Sequence, residues 1–134
     1  MSEATEAFEL EAFFMASPEA IFRAWVTAEL HADFTEAGAT SDPVPGGAFT
    51  AWDGYIQGTH VELQPNTRIV QRWRTGEFPA DAPDSQVEIA LRAGDGGTWL
   101  TLRHTAIPAG SGDRYKQGWI DYYFEPLTEW LQTP

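Results

Sequence analysis

The sequence contains no cysteine and few basic residues, and each shortage excludes a class of site or partner. Without cysteine the chain can form no disulfide, thiolate nucleophile or zinc–thiolate site. Only 8 lysines and arginines oppose 20 aspartates and glutamates, so the formal net charge is −12. Because such a field repels phosphate backbones and anionic lipids, we expect neither nucleic acid nor a membrane as a partner. The acidity can also serve solubility alone.

Long hydrophobic runs are missing as well. No apolar stretch approaches the roughly 20 residues of a membrane span, and the acidic start MSEATEAFEL lacks the apolar segment of a signal peptide. We therefore expect a cytoplasmic protein. A length of 134 residues is typical of one domain, which we predict to cover residues 1–134.

Motifs with specific chemistry are absent from the sequence. It has no glycine-rich phosphate loop, paired-histidine metal helix or nucleophile elbow. The three histidines, His31, His60 and His104, have no neighbours at the spacing of a local metal site. We predict no catalytic residue, no metal and no cofactor, and we interpret the chain as a non-enzyme.

Alternating and turn-forming residues predict a β-rich centre. The segment Phe8 to Phe14 alternates apolar and polar residues like a strand with one buried face. Ser17 and Pro18 then predict a helix start, and Thr27 begins a second short helix. Glycine-containing and proline-containing turns separate further strands, predicted near residues 48–53, 55–63, 68–74, 85–93 and 97–106.

A long C-terminal helix, predicted over 113–131, carries more apolar surface than a flat sheet can cover. Its apolar side chains span an arc of roughly 200° centred near Tyr123, whereas a stripe of about 100° is enough for docking. We therefore predict an α+β fold in which a curved antiparallel sheet of about six strands wraps around this helix. Pro126 is expected to disturb the helix, since it cannot donate to the carbonyl of Tyr122.

Polar groups on inward faces are candidates for a cavity. His104 shares a face with Leu100 and Leu102 and should point at the helix; it is either a cavity polar group or a core histidine bonded to a neighbouring hydroxyl. The hydroxyl of Tyr123 also needs a partner, and we hypothesise that it approaches His104. Trp73 faces inward, as core or cavity wall.

Three aromatic residues are predicted to face outward on the strands, namely Phe13, Trp52 and Trp99. If they cluster, they would form an interface. A monomer and a homodimer both remain open.

The ordered motifs resemble one family. They are FMASPEAIFRAW, PGGAFTAWDGYIQG, a Leu63-Gln64-Pro65 turn, IVQRW and QGWIDYYFEPL. Together they are similar to the activators of heat-shock protein 90 ATPase, in particular to their C-terminal domain. The resemblance implies a START-like, helix-grip fold of the SRPBCC superfamily, with two short helices after the first strand.

The resemblance implies a binding function more readily than a reaction. We expect a small hydrophobic or amphipathic ligand between sheet and helix, with cavity candidates Phe14, Trp73, Leu102, His104, Trp119, Tyr123 and Leu127. The alternative is a co-chaperone that stimulates a heat-shock protein 90 homologue, weakly because the activators' separate N-terminal domain is not in this sequence. An enzyme of the cyclase or hydrolase kind is the third interpretation.

Overall fold

The computed structural model describes residues 5–132, which form one seven-stranded antiparallel sheet and a set of helices. The strands are β1 (Thr5–Phe14), β2 (Thr40–Ser41), β3 (Ala48–Ala51), β4 (Ile56–Gln64), β5 (Arg68–Thr75), β6 (Ser85–Gly94) and β7 (Gly97–Pro108). The helices are α1 (Pro18–Val26), α2 (Ala28–Thr35), α3 (Gly112–Trp119) and α4 (Glu125–Gln132). The strand order in the sheet is β1-β7-β6-β5-β4-β3-β2.

The inner face of the sheet follows the predicted alternation. On β7, Leu100, Leu102 and His104 are fully buried, and they pair in register with Ala12, Leu10 and Phe8 of β1. On β5, Ile69, Gln71, Trp73 and Thr75 are buried on the inner face, while Arg72 is exposed on the other face, where Val70 is the one buried residue of this strand. The period of two in these segments therefore identified the buried face correctly.

The C-terminal helix is continuous but irregular, because one turn of π-helix, Ile120–Phe124, joins α3 to α4. The amide of Glu125 donates to the carbonyl of Ile120, five residues earlier. This turn lies directly before Pro126, where we expected a disturbance. Single π turns inside α-helices occur frequently at functional sites, and this one carries Tyr122 and Tyr123.

One row of side chains fastens the helix to the sheet. Tyr115, Trp119, Tyr123 and Leu127 follow one another at intervals of four residues, and all are buried. Tyr122 is 58% exposed although it belongs to the predicted apolar arc. The apolar arc is therefore wider than the buried stripe, and Tyr122, at its exposed edge, lines a cleft.

The two short helices cover the end of the core beside this row. Ser17 caps α1 by accepting a hydrogen bond from the amide of Ala20 at 3.1 Å. Trp25 of α1 stacks on Tyr123, with ring centroids 5.2 Å apart. Helix α2 contacts α4, where the indole of Trp130 donates to Asp33 at 2.7 Å. The predicted pair of helices after β1 is thus present.

These elements form the helix-grip arrangement that the resemblance implied, with one strand more than the predicted six. The extra strand, β2, has two residues and pairs with β3. Alternation over two residues carries no signal, so this strand could not be recognised in the sequence. None of the helices within residues 5–132 is long and apolar enough to cross a membrane.

Strand β4 approaches its neighbours so closely that one position excludes a side chain. A Cβ at Gly58 would lie 1.9 Å from the carbonyl oxygen of Arg72 and 2.7 Å from the ring of Phe49. We expect Gly58→Ala to lower the free energy of unfolding by about 1–3 kcal/mol, since strands or ring must shift. Urea unfolding measures the change.

Gly76→Ala is the matched control, because a Cβ there meets no atom within 4 Å and the backbone is not left-handed. Its stability should stay equal or rise by about 0.4–1 kcal/mol. Equal stabilities for the two variants would show that the close packing at Gly58 does not constrain the sheet.

Candidate functional site

A cleft opens between the C-terminal helix and the β3–β4 end of the sheet. Its volume is about 510 Å³, within the range of roughly 300–1,000 Å³ usual for small-molecule sites. The lining comes from the β3–β4 turn, β4, β5, α3 and the π turn. It consists of Trp52, Tyr55, Ile56, Trp73, Arg114, Tyr115, Gly118, Trp119, Tyr122 and Tyr123.

Aromatic side chains are concentrated in this cleft. All 4 tyrosines of the chain and three of its 6 tryptophans line it. The floor is buried, with Trp73 and Trp119 each 3% exposed, whereas Tyr55 and Tyr122 at the mouth are 40% and 58% exposed. The site therefore offers deep ring surfaces that open to water on one side.

Trp52 holds a strained backbone conformation at the mouth. Its φ is +52°, in the left-handed region that bulky residues rarely adopt. The turn is fixed by Asp53, which accepts from the amide of Gly38 at 2.7 Å and donates its own amide to the Gly38 carbonyl at 3.0 Å. Such strain costs about 1–3 kcal/mol, and here it brings the indole against Tyr122, with ring centroids 5.6 Å apart.

A glycine in α3 keeps the cleft open. Gly118 lines the space from the helix side, and a Cβ there would meet nothing closer than the ring of Tyr122, at 3.9 Å. Glycine in a helix interior costs up to about 1 kcal/mol relative to alanine. Local helix stability therefore does not explain the glycine at this position, and the space beside it has room for a side chain.

The hydroxyl of Tyr123 is bonded behind the wall, away from the cleft. His31 Nδ1 lies 3.0 Å from the carbonyl oxygen of Trp25, so that nitrogen must carry the proton. The other ring nitrogen, Nε2, therefore accepts from the Tyr123 hydroxyl at 3.0 Å. A neutral imidazole thus satisfies the tyrosine.

The indole of Trp119 is bonded in the same way through a second histidine. Its Nε1 donates to His104 Nδ1 at 3.1 Å, which places the proton of His104 on Nε2. That nitrogen donates to the Ser85 hydroxyl at 2.8 Å, and Ser85 donates to the carbonyl of Trp73 at 2.7 Å. This chain of bonds joins helix α3 to strands β7, β6 and β5.

Burial keeps these groups neutral. Desolvation lowers the pKa of His31 to about 4 and that of His104 to about 3. It also raises the pKa of Tyr123 above its ordinary value. His60, buried beside Ser41 and Gln71, has its pKa lowered by the same cause.

The cleft therefore lacks a group poised for acid–base chemistry among the histidines. Both ring nitrogens of His31 and of His104 are engaged by protein groups. Within the described part of the chain, no three histidine, aspartate or glutamate side chains lie close enough to hold a metal ion.

Among residues 5–132, the one charged side chain that lines the cleft is Arg114. The guanidinium carbon of Arg114 lies 5.0 Å from the centroid of the Tyr115 ring, and its Nη1 is 3.5 Å from Glu77 Oε2. Tyr55 donates its hydroxyl to the same carboxylate oxygen. Burial, followed by this bond to Glu77, raises the pKa of Tyr55 to about 12, so the phenol stays protonated.

The seven cavity candidates separate into two groups. Trp73, Trp119 and Tyr123 line the cleft. The other four lie in the packed core instead, each at most 2% exposed, namely Phe14, Leu102, His104 and Leu127. All four are buried in the core, and Leu127 belongs to the helix row itself. Inward orientation therefore did not distinguish core residues from cleft residues.

Seven lining residues were not predicted. They are Trp52, Tyr55, Ile56, Arg114, Tyr115, Gly118 and Tyr122. Three belong to a β-turn and the start of β4, whose position over the helix no local pattern reveals. Tyr115 lies four residues before Trp119, and extending the helical row by one turn would have found it.

The expected approach of Tyr123 to His104 is wrong. Trp119, one turn earlier, occupies His104, so the tyrosine hydroxyl reaches His31 at the α1–α2 end instead. His104 is also bonded to the hydroxyl of Ser85, as the core interpretation of this histidine required.

The three aromatic residues predicted to face outward do not form one patch. Phe13 and Trp99 contact each other on the outer face, with ring centroids 5.0 Å apart. Trp52 instead lines the cleft.

Comparison with known proteins agrees on one family. Residues 15–132 match the family described as "Activator of Hsp90 ATPase homolog 1-like protein". The human "Activator of 90 kDa heat shock protein ATPase homolog 1" is 34% identical over 120 residues, which are 90% of this chain and 35% of the human protein. This chain thus spans about a third of the length of that relative.

Solved structures share the fold. An HSP90 activator from Plasmodium falciparum superimposes with a TM-score of 0.86 at 26% identity, covering 96% of this chain and 97% of the other. The Aha1 dimer from Colwellia psychrerythraea gives 0.79 at 16% identity, covering 95% and 96%. The second likeness concerns the fold alone.

The buried imidazoles predict a loss of stability in mild acid. Because the folded pKa values of His31 and His104 lie below the unfolded value of 6.5, the unfolded chain takes up protons first as the pH falls. The two histidines therefore leave the free energy of unfolding unchanged above about pH 6.5 and lower it progressively as the pH falls towards 4. At pH 5 each histidine lowers the free energy of unfolding by about 2 kcal/mol relative to pH 7. Urea unfolding at both pH values measures this difference.

His104→Gln should reduce this pH-dependent loss by about 2 kcal/mol, since glutamine does not titrate. The ring-proton NMR shifts of His31 and His104 in the wild type should stay at neutral positions down to pH 5. Titration of either ring near pH 6.5 would contradict the burial argument.

Proposed function

We propose, from the premise that this chain belongs to the family of Activator of Hsp90 ATPase homolog 1-like proteins, that it binds a small hydrophobic or amphipathic molecule in its aromatic cleft. The observation that carries the proposal is the open space of about 510 Å³ between aromatic walls. The family relationship and the START-like fold give the architecture, while the cleft supplies the argument for binding.

The row of helix residues along the cleft favours an apolar partner because the polar atoms of Tyr115, Trp119 and Tyr123 are bonded to protein groups. The Tyr123 hydroxyl bonds His31, the Trp119 indole bonds His104, and the Tyr115 hydroxyl meets Thr75 at 2.6 Å. Ring faces therefore remain as the surface offered to a ligand. Each aromatic contact adds about 0.5–1.5 kcal/mol beyond the burial of its area.

The shape of the site also suits a bound molecule better than water alone. Apolar surface removed from water contributes about 25 cal/mol per Å², and most of the residues that line the cleft are aromatic. Strain at Trp52 and glycine at 118 both cost stability, and both serve to shape the cleft. A site maintained against such costs supports a role in binding.

Filling the cleft from the helix side should abolish binding without unfolding the protein. Gly118→Leu places an apolar side chain in the space, and loss of a helical glycine adds up to about 1 kcal/mol of stability. We expect the variant to lose the fluorescence enhancement of N-phenylnaphthylamine, a neutral aromatic probe that binds apolar sites. Gly118→Ala, which adds one methyl group, is the matched control and should still bind.

Two outcomes would contradict the proposal. One is the absence of probe binding to the wild type, and the other is equal binding by wild type and Gly118→Leu at equal melting temperature. A structure of Gly118→Leu with the leucine turned away from the cleft would identify the second outcome as a failed block, and Gly118→Trp would then replace it.

A second candidate function is that of a co-chaperone acting on a heat-shock protein 90 homologue. It is favoured by the match to the human activator over most of this chain. The proposal places the protein in the cytoplasm, where ATP is available to such a partner. Since this chain corresponds to about a third of that relative, we expect stimulation to be weak.

The ATPase rate of a heat-shock protein 90 homologue, measured with increasing amounts of this protein, tests the co-chaperone proposal. We expect a small rise that saturates. Gly118→Leu should stimulate equally, because its outer surface is unchanged. An unchanged rate at saturating protein would exclude direct activation.

An enzymatic role receives little support from the site. The imidazoles nearest to the cleft are held neutral with both nitrogens bonded, and the pKa of Tyr123 is raised by burial. General acid–base catalysis at neutral pH works best with a pKa near 7. The family relatives are named as activators of an ATPase, in agreement with a non-catalytic role.

A further inference from the structure

We propose that the cleft selects amphipathic ligands with an anionic group at one end, such as an aromatic carboxylate or sulfonate, and that Arg114 binds this group at the mouth. This inference rests on the proposed binding function and adds the chemical class of the ligand. It follows from the position, the orientation and the present partner of Arg114.

Arg114 is the only charged side chain that lines the cleft among the described residues. Its position contrasts with that of most basic residues, which lie along strands β5, β6 and β7, namely Arg68, Arg72, Arg74, Arg92 and Arg103. In a chain of net charge −12, a cation at the mouth of an aromatic site makes that point locally favourable for an anion.

The wall holds Arg114 in place. Its guanidinium carbon lies 5.0 Å from the Tyr115 ring centroid, and its Nη2 lies 3.4 Å from the Tyr115 hydroxyl. Tyr115 itself is 7% exposed and anchored to Thr75. A stacked guanidinium on a fixed ring loses less freedom when it binds a ligand.

The present partner of Arg114 is easily exchanged. The contact with Glu77 is long, at 3.5 Å, and the two side chains are 54% and 50% exposed. Exposed ion pairs contribute only about 0–1 kcal/mol. Glu77 also keeps the hydrogen bond from Tyr55 when the arginine leaves. A ligand carboxylate can then form a bidentate pair with the guanidinium.

The buried floor and wet mouth fix the direction of the ligand. A charged group on the floor would lose its water beside bonded and apolar walls, at high cost. At the mouth, beside the exposed Tyr55 and Tyr122, it stays hydrated and meets Arg114. Glu77 lies beside Arg114 but does not line the cleft, whereas Arg114 does. A cationic end would therefore meet the arginine first, and the anionic class is favoured despite the acidic protein surface.

Two fluorescent probes test the inference because they share the same rings and differ by one sulfonate. Anilinonaphthalene sulfonate carries the anion, and N-phenylnaphthylamine does not. We expect Arg114→Gln to weaken the sulfonate probe about tenfold or more, as loss of a charged hydrogen-bond donor implies. The neutral probe should change by less than about twofold, which is within the scatter of near-neutral substitutions.

Two further variants complete the set. Arg103→Gln removes the same charge from the exposed outer face of β7, and both probes should bind it as they bind the wild type. Glu77→Gln frees Arg114 from its carboxylate, so the sulfonate probe should bind more tightly. Gly118→Leu should lose both probes, which locates their binding in the cleft.

The probe results distinguish the anionic selectivity from the proposed binding function. If both probes bind and Arg114→Gln weakens them equally or not at all, the anionic selectivity is wrong while the binding function stands. If Arg103→Gln weakens the sulfonate probe as much as Arg114→Gln, overall charge is responsible and the inference is again wrong. If the neutral probe does not bind the wild type, the proposed function fails and the inference with it.

Discussion

The hydrogen bond from Trp119 to a neutral His104 is the interaction on which the rest of this structure depends. It is a polar contact between the long helix and the centre of the sheet, and Ser85 extends it to a third strand. Since a buried indole without an acceptor would cost about 1–3 kcal/mol, this bond fixes the height and rotation of α3. The positions of Tyr115 and Tyr123, one turn away on either side, follow from it.

A second neutral histidine, His31, accepts a hydrogen bond from the same helix one turn further along. His31 Nε2 accepts a hydrogen bond from the Tyr123 hydroxyl, and His31 Nδ1 donates one to the carbonyl of Trp25. Each histidine accepts a hydrogen bond from the helix, but His31 does so through Nε2 and His104 through Nδ1. The two rings are therefore opposite tautomers. They bond the Tyr123 hydroxyl and the Trp119 indole to protein groups, so these two residues offer mainly ring surface to the cleft.

Three features that reduce stability lie around this space. Trp52 occupies a left-handed conformation, Gly118 interrupts a helix with a residue of poor propensity, and the π turn interrupts its regular bonding. Local sequence preferences are violated most often where a protein has a site to maintain. Their convergence on one cleft, with Arg114 at its mouth, is the physical basis for assigning binding to it.

The amino-acid sequence by itself determined the buried faces and the curved sheet around the helix, because periods of two and near four report burial directly. The family followed from the resemblance of the ordered motifs, not from these periods. It also indicated Trp73, Trp119 and Tyr123, which lie on those faces. Only the tertiary structure decided which inward residues are core and which line a cleft. That choice depends on where the β3–β4 turn lies over the helix and on the partner that each buried polar atom finds. Both are long-range: Tyr123 and His31 are 92 positions apart, and no local pattern relates them.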